Sequence, residues 1–320
     1  MVALLLVLTA LWIGTGGEHR VPALVTQDDS LPSALIAGHR LHLRSVGPPG
    51  APTIIVLHGG PGGDFRSLTA LAGLADTRRV VFYDQRGAGL SERVPAEALS
   101  LDGHLEELAE VIDLVSPDRR VTLIGHSWGA MLALAHVAGD PDGVDRLVLI
   151  EPGYIDAAGR ENWQRASRRF LSGPRFLAAA LANGLRAARV DGPDAHARKD
   201  FLIGRMVHAF ASHPGNPYHC GQGYTAPLWR FGALSSETWE DAATSDIDLI
   251  GRGAESFDGP VLIMAGSCDT WLGADLQESH RGRFRDGQLV VVPNAGHDVI
   301  WDNPVEALGR IRTFLEPRGL

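Results

Sequence analysis

Three side chains in this 320-residue chain have the types and placements needed to cut an acyl bond: Ser127, Asp269 and His297. A serine hydroxyl is a poor nucleophile until a base takes its proton, and an imidazole keeps the useful tautomer only when a carboxylate orients it. Ser127 lies in Gly125-His126-Ser127-Trp128-Gly129, directly after the apolar run Val121–Ile124 and at the start of the helical run Ala130–Ala138. G-x-S-x-G is a weak pattern alone. At a sharp strand-to-helix turn it gains meaning, because little bulk is tolerated on either side and the hydroxyl is pushed out of the sheet. The helix N-terminus behind it adds positive potential where an oxyanion would form. Asp269 follows the run Val261–Ala265 and His297 follows Leu289–Val292, so acid and base come in the chain order this setting requires. Asp275 and Asp298 compete for the acid's role, but neither has Asp269's place at a strand exit, and Asp298 would have to turn back on its neighbour His297.

A second loop, His58-Gly59-Gly60-Pro61-Gly62-Gly63, follows the run Thr53–Leu57. Without side chains its amides can approach a substrate, and one of them paired with the amide of Trp128 would hold a tetrahedral oxyanion. A phosphate cradle would need the G-K-[ST] that is missing here. Asp84 and Arg86 are expected to fix the loop after Val80–Tyr83. His126 reads equally as a pocket residue and as a hydrogen-bonded structural histidine. Glu151, at a strand exit, is expected either to reach the active-site mouth or to pair with an arginine of the segment that follows. His213, His219 and Cys220 are interrupted by Pro214 and Pro217 and lack a further ligand at suitable spacing, so no metal site is expected. The chemistry requires no organic cofactor, and activity should fall below about pH 6 to 7, where a histidine base becomes protonated.

These residues need a scaffold that gathers distant positions. Thr53–Leu57, Val80–Tyr83, Val121–Ile124, Leu147–Ile150, Val261–Ala265 and Leu289–Val292 are short, mostly β-branched and almost continuously apolar. Such runs suit parallel strands covered on both faces, whose C-terminal ends share one edge. Leu101, Leu105, Leu108, Ile112 and Val115 recur at helical spacing, as do Val305, Leu308, Ile311 and Leu315 behind Asn303-Pro304. The alternation breaks after Ile150: residues 151–259 carry helical patterns and three of the seven tryptophans, which reads as a helical insertion over one end of the sheet. Trp163, Tyr224, Trp229 and Trp239 form either an aromatic wall for an apolar substrate or the insertion's own core.

Taken together, H-G-G-P-G (58 to 62), D-Q-R-G-x-G-x-S (84 to 91) and G-x-S-W-G (125 to 129) resemble the proline iminopeptidase branch of the α/β-hydrolase-fold serine hydrolases. The resemblance implies an α/β fold, a mostly parallel sheet with helices on both faces, formed by residues 34–150 and 260–320 with a helical cap at 151–259. It implies a Ser127–Asp269–His297 triad, an oxyanion hole at Gly60 and Trp128 beside Gly59, and a small-molecule or short-peptide substrate. Carboxylic-ester hydrolysis is the alternative chemistry, and a non-catalytic ligand sensor on the same fold is a further one. Trp239-Glu240 is similar to the Trp-Glu pair with which iminopeptidases hold a free α-ammonium. The elbow departs from the branch in carrying His126 where a second glycine is usual.

Composition bounds the rest. With 45% apolar and 21% charged residues the chain is globular, and its net charge of −9 disfavours nucleic acid as a partner. Cys220 and Cys268 cannot build a disulfide framework; they are either bonded once or two isolated thiols. Residues 1–17 begin with the apolar stretch Val2–Ile13 and are expected to be an export signal or membrane anchor, the alternative being a buried helix of a cytoplasmic protein. Residues 18–33 read as a polar linker outside the fold.

Overall fold

The computed structural model describes residues 9–316. Eight strands form one sheet in the order β1-β2-β4-β3-β5-β6-β7-β8. They are β1 (Ser33–Ile36), β2 (His39–Val46), β3 (Thr53–Leu57), β4 (Arg79–Tyr83), β5 (Val121–His126), β6 (Val144–Ile150), β7 (Val261–Gly266) and β8 (Gly287–Val292). The first two are antiparallel to their neighbours and all later pairings are parallel. The six apolar runs are thus β3 to β8, and every residue of β3, β5 and β7 is buried.

Alternate residues serve opposite layers, as the two-residue period of a strand requires. Ile55 and Leu57 pack with Trp128, Leu132, Ile247 and Ile250 on one face. Ile54 and Val56 pack with Phe65, Leu71, Ile311 and Phe314 on the other. The helix Leu101–Val115 starts on a Ser100 cap, and Pro304–Leu315 starts behind the Asn303 side chain, which accepts from the Glu306 amide.

Between β6 and β7 lie five helices, Ala157–Ser167, Gly173–Ala187, Ala197–Ala211, Ala233–Glu240 and Thr244–Ser256, and no strand among the described residues. The fifth belongs with the sheet, because Ile247, Ile250 and Ala254 join the core face that holds Trp128. Its close approach needs Gly253: a Cβ there would overlap the carbonyl oxygen of Leu134 on the helix Trp128–Gly139. The layer above the sheet therefore ends near residue 240 rather than at 259. Within that layer the fully buried guanidinium of Arg230 binds Asp194 and Asp200, and Asp200 ties the layer to the core by pairing with Arg93.

The stretch 18–33 departs from the expected free linker. Leu24 and Val25 are buried, Val25 bonds the Leu90 carbonyl at 2.9 Å, and Arg230 reaches the Pro22 carbonyl at 3.1 Å. Two adjacent apolar side chains suffice to draw an otherwise polar segment onto the body. Of the N-terminal apolar stretch, Met1–Leu8 lies outside the described residues; residues 9–14 are helical, and the Arg189 guanidinium stacks 3.7 Å from the Trp12 ring. No helix among the described residues is long and apolar enough to cross a membrane.

Since Gly253 and Leu134 meet backbone to backbone, Gly253→Ala should force the two helices apart and cost about 1–3 kcal/mol. A chemical-denaturation midpoint equal to that of the parent protein would contradict this packing.

Candidate active site

Ser127 sits at the end of β5 with φ 52° and ψ −114°, a left-handed conformation that a serine adopts only under constraint. Its amide donates to the Ile150 carbonyl of β6 at 2.8 Å, while its own carbonyl accepts from Ala130 and Met131 in the first turn of the following helix. The flanking glycines are explained by contact. A Cβ at Gly125 would lie 2.5 Å from the Ala130 nitrogen, and one at Gly129 would overlap the Leu57 carbonyl of β3. Trp128 and Gly129 open the helix, where first-turn amides lack intrahelical acceptors and aim positive potential at the serine.

The glycine loop is docked against this turn. A Cβ at Gly59 would stand 3.2 Å from Ser127 Cβ and 3.0 Å from His126 Nδ1. His58 holds the loop: its Nδ1 donates to the Gly59 carbonyl at 2.9 Å and its Nε2 accepts from the Gln85 amide at 3.0 Å. Gln85 in turn donates to the His58 carbonyl and accepts from the Trp128 indole at 2.9 Å. Asp84 accepts from the amides of Phe65 and Leu90, and Arg86 pairs with buried Glu107. These residues fix the loops, as expected.

His297 lies beyond β8, and its Nδ1 faces two carboxyl groups. Glu151 Oε2 is 2.8 Å away, a hydrogen bond; Asp269 Oδ2 is 3.6 Å away. Glu151 is fully buried at the exit of β6, held by the Gly266 amide at 2.6 Å on its other oxygen. Asp269 Oδ1 accepts from the Trp271 and Leu272 amides, and its Oδ2 has no hydrogen-bond partner. Glu151 therefore neither lines a pocket mouth nor pairs with an arginine; it lies beneath the imidazole. Burial pushes its carboxyl up to about 8 against the pull of His297. Burial would lower the His297 pKa, but Asp269 and Glu151 together outweigh it and push the imidazole up to about 10.

Glu151, Asp269 and His297 also offer one donor atom each within 4.8 Å of one another, the composition of a cation site. The 2.8 Å between Nδ1 and Oε2 argues for a shared proton, because ligands around 2.0–2.2 Å from one zinc ion stand farther apart than that.

The other predicted site residues divide. His126 donates from Nε2 to the His297 carbonyl at 3.0 Å, and burial lowers its pKa to about 3, which favours the structural reading. The Trp239 ring lies 4.2 Å from the Trp128 ring, tilted by 57°, and donates to the Tyr154 hydroxyl, so it lies near the elbow. Glu240 is exposed, and its carbonyl accepts from Arg160. Trp229 packs edge-on against Phe65 at 4.9 Å and against His42, and its amide donates to Asp64. Asp275 is exposed on the helix Ala274–Arg281, and Asp298 is buried with one oxygen unpartnered.

One feature escaped sequence reasoning, and one open alternative is settled in favour of a bond. Tyr218 lies flat on the His297 ring, 4.4 Å away and tilted by 10°, with Trp271 stacked behind it at 5.2 Å. Cys220 and Cys268 form a disulfide, which removes Cys220 from any metal set. Glu151 was visible by the strand-exit rule that selected Asp269; Tyr218 carried no signal.

With this geometry in view, comparisons place the chain among known proteins. A family model described as the alpha/beta hydrolase fold matches residues 52–304. A proline iminopeptidase of Heyndrickxia coagulans is 42% identical over 104 residues, 32% of this chain and 36% of that protein. The chain thus spans about a third of that relative's length. The mouse sn-1-specific diacylglycerol lipase ABHD11 is 26% identical over 279 residues, 82% of this chain and 81% of the relative. Among solved structures, the esterase RhEst1 from a Rhodococcus species superposes with a TM-score of 0.62 at 17% identity, covering 91% of this chain and 100% of the other. The proline iminopeptidase of Mycobacterium smegmatis gives 0.57 at 22%, covering 89% and 97%.

Because Glu151 and His297 both hold protons more tightly folded than unfolded, this cluster should make stability fall as pH rises from about 5 toward 10. Denaturation midpoints measured at several pH values should show a smaller decline in Glu151→Gln than in the parent; equal slopes would contradict the buried pairing.

Proposed function

The chain belongs to the α/β-hydrolase fold family, and we propose that it is a hydrolase that cleaves an ester or amide by a serine acyl-enzyme mechanism. The observation that carries this reading is the strained outward turn at Ser127, at a helix N-terminus, together with an imidazole whose Nδ1 is bonded to a buried carboxylate. In this reading Ser127 attacks the acyl carbon while His297 takes its proton. Amides of the glycine loop and of Trp128 hold the oxyanion. Water activated by His297 then releases the acid. The carboxyl side of the triad is double: Glu151 bonds the ring and fixes its tautomer, and Asp269 adds charge from 3.6 Å.

Two substrate classes follow from different observations. The aminopeptidase class is supported by the similarity to a proline iminopeptidase and by Trp239 beside the elbow. The ester class is supported by the aromatic surfaces of Tyr218, Trp271 and Trp163 around His297. An N-blocked proline arylamide compared with its free form separates the two, since a peptidase reading the ammonium loses most of its rate on blocking. The disulfide supports residence in an oxidising compartment.

Ser127→Ala should lower kcat by roughly ten-thousand-fold and abolish labelling by a fluorophosphonate probe. Full activity in that variant, or no labelling of the parent, would refute the mechanism. With two carboxyls on His297, the acidic limb of the pH–rate profile should stand above the pH 6 to 7 expected of an ordinary histidine. Glu151→Gln should move that limb downward; an unmoved limb would leave Asp269 as the sole orienting acid.

A further inference from the structure

Between the helices Ala197–Ala211 and Ala233–Glu240 runs a strap, residues 212–232, without helix or strand. Its centre touches both loops that carry the proposed acid and base. The Pro217 carbonyl accepts from Thr270 at 3.4 Å, and the Tyr218 carbonyl accepts from the His297 amide at 2.8 Å. Two residues on, Cys220 is bonded to Cys268, the immediate neighbour of Asp269 and 48 positions away in sequence. Gly296 is what allows such closeness, since a Cβ there would overlap the Tyr218 carbonyl. Asn216, itself buried, shapes the turn by accepting from the Tyr218 amide and donating to the Phe210 carbonyl.

From this arrangement we infer that Tyr218 is a positioning residue for His297, and that the Cys220–Cys268 disulfide is the clamp that keeps it there. The inference rests on the reading of His297 as the catalytic base. The Tyr218 ring covers one face of the imidazole, restricting its rotation about the Cβ–Cγ bond and excluding water from the side where two carboxyls hold its proton. The strap is irregular, and the backbone entropy of such a segment opposes the order that its two backbone bonds, the stacks of Tyr218 on His297 and Trp271, and the Trp163 and Asn216 hydrogen bonds impose. A covalent link two residues from the tyrosine removes most of that freedom. The link is also open to reagents, with Cys220 exposed and Cys268 half-buried. A dithiol such as dithiothreitol would attack one sulfur as thiolate, release the other cysteine, and then close on itself. Both cysteines end as thiols, and the reagent, oxidised by two electrons, ends as a cyclic disulfide.

The test uses the full oxidised chain, an aryl ester as substrate, thiol titration, and hydrogen exchange of the peptide containing the His297 amide. Reduction, verified by the appearance of two thiols, should lower kcat by about 10-fold to 100-fold with little change in KM, as expected for a misplaced catalytic group. His297 amide exchange should accelerate at the same time, and reoxidation should restore both. Cys220→Ser/Cys268→Ser should start at the low rate and ignore the reductant, and Tyr218→Phe should retain more activity than Tyr218→Ala. Unchanged kcat and unchanged exchange in the fully reduced protein would overturn the inference and leave the hydrolase reading intact. If the oxidised protein neither labels at Ser127 nor turns over ester, the hydrolase reading fails. The exchange measurement then still decides whether the disulfide holds the strap on His297.

Discussion

Everything at this site depends on one backbone constraint, the close approach of β5, its following helix and β3 around Ser127. Gly125 and Gly129 let three backbone segments meet where no side chain fits, and the serine between them is forced into a left-handed conformation that turns it out of the sheet. The cost of such a conformation, of order 1–3 kcal/mol, is met by the surrounding core rather than by the turn itself. Helix Trp128–Gly139 is buried along nearly its whole length, so it cannot rotate to relieve the strain. The same parallel order places His58, Asp84, Glu151, Asp269 and His297 just beyond the ends of β3, β4, β6, β7 and β8. Residues remote in sequence thereby become neighbours without any local motif joining them.

That geometry explains which features were legible. The central strands β3, β5 and β7 declare themselves because each is buried on both faces and so is apolar throughout, while the edge strand β8 is legible from its Leu289–Val292 run although it is only partly covered. The antiparallel strands β1 and β2 do not, since His39-Arg40-Leu41-His42-Leu43-Arg44 mixes polar and apolar residues on a strand that is only partly covered. Ser127 and His297 were legible from strand exits and glycines. Asp269 was legible from its strand exit over Asp275 and Asp298, but Glu151, at another strand exit, was not read as a partner of His297, because its approach to Nδ1 is a distance that sequence does not carry. Tyr218 and the disulfide depend on where an irregular segment crosses the sheet edge, which hydrophobic periodicity does not encode. The helix Thr244–Ser256 packs on the sheet although it follows the inserted helices in sequence, a placement that helical periodicity does not encode.

Two buried carboxyls around one imidazole pose an electrostatic problem that a single acid does not. If all three groups were ionised, the cluster would hold a net negative charge away from water, and each carboxyl would disfavour ionisation of the other. The protein answers with donors from the backbone: Gly266 to Glu151, and Trp271 with Leu272 to Asp269. One oxygen of Asp269 is left without a donor, so the cluster retains a bias toward holding protons. A histidine in this setting is a stronger base than an isolated one and needs a higher pH to become free.

The inserted layer is attached to the core in two chemically different ways, and the difference bears on how substrate enters. At one end Arg230, Asp194, Asp200 and Arg93 form a buried ionic network, whose rupture would strand charges in a medium that solvates them poorly. At the other end a surface disulfide and a stacked tyrosine hold the strap against His297. The first attachment is indifferent to redox conditions and the second is not. Of the two attachments, the one that redox conditions can break is the one that lies on His297, the group proposed to move the proton.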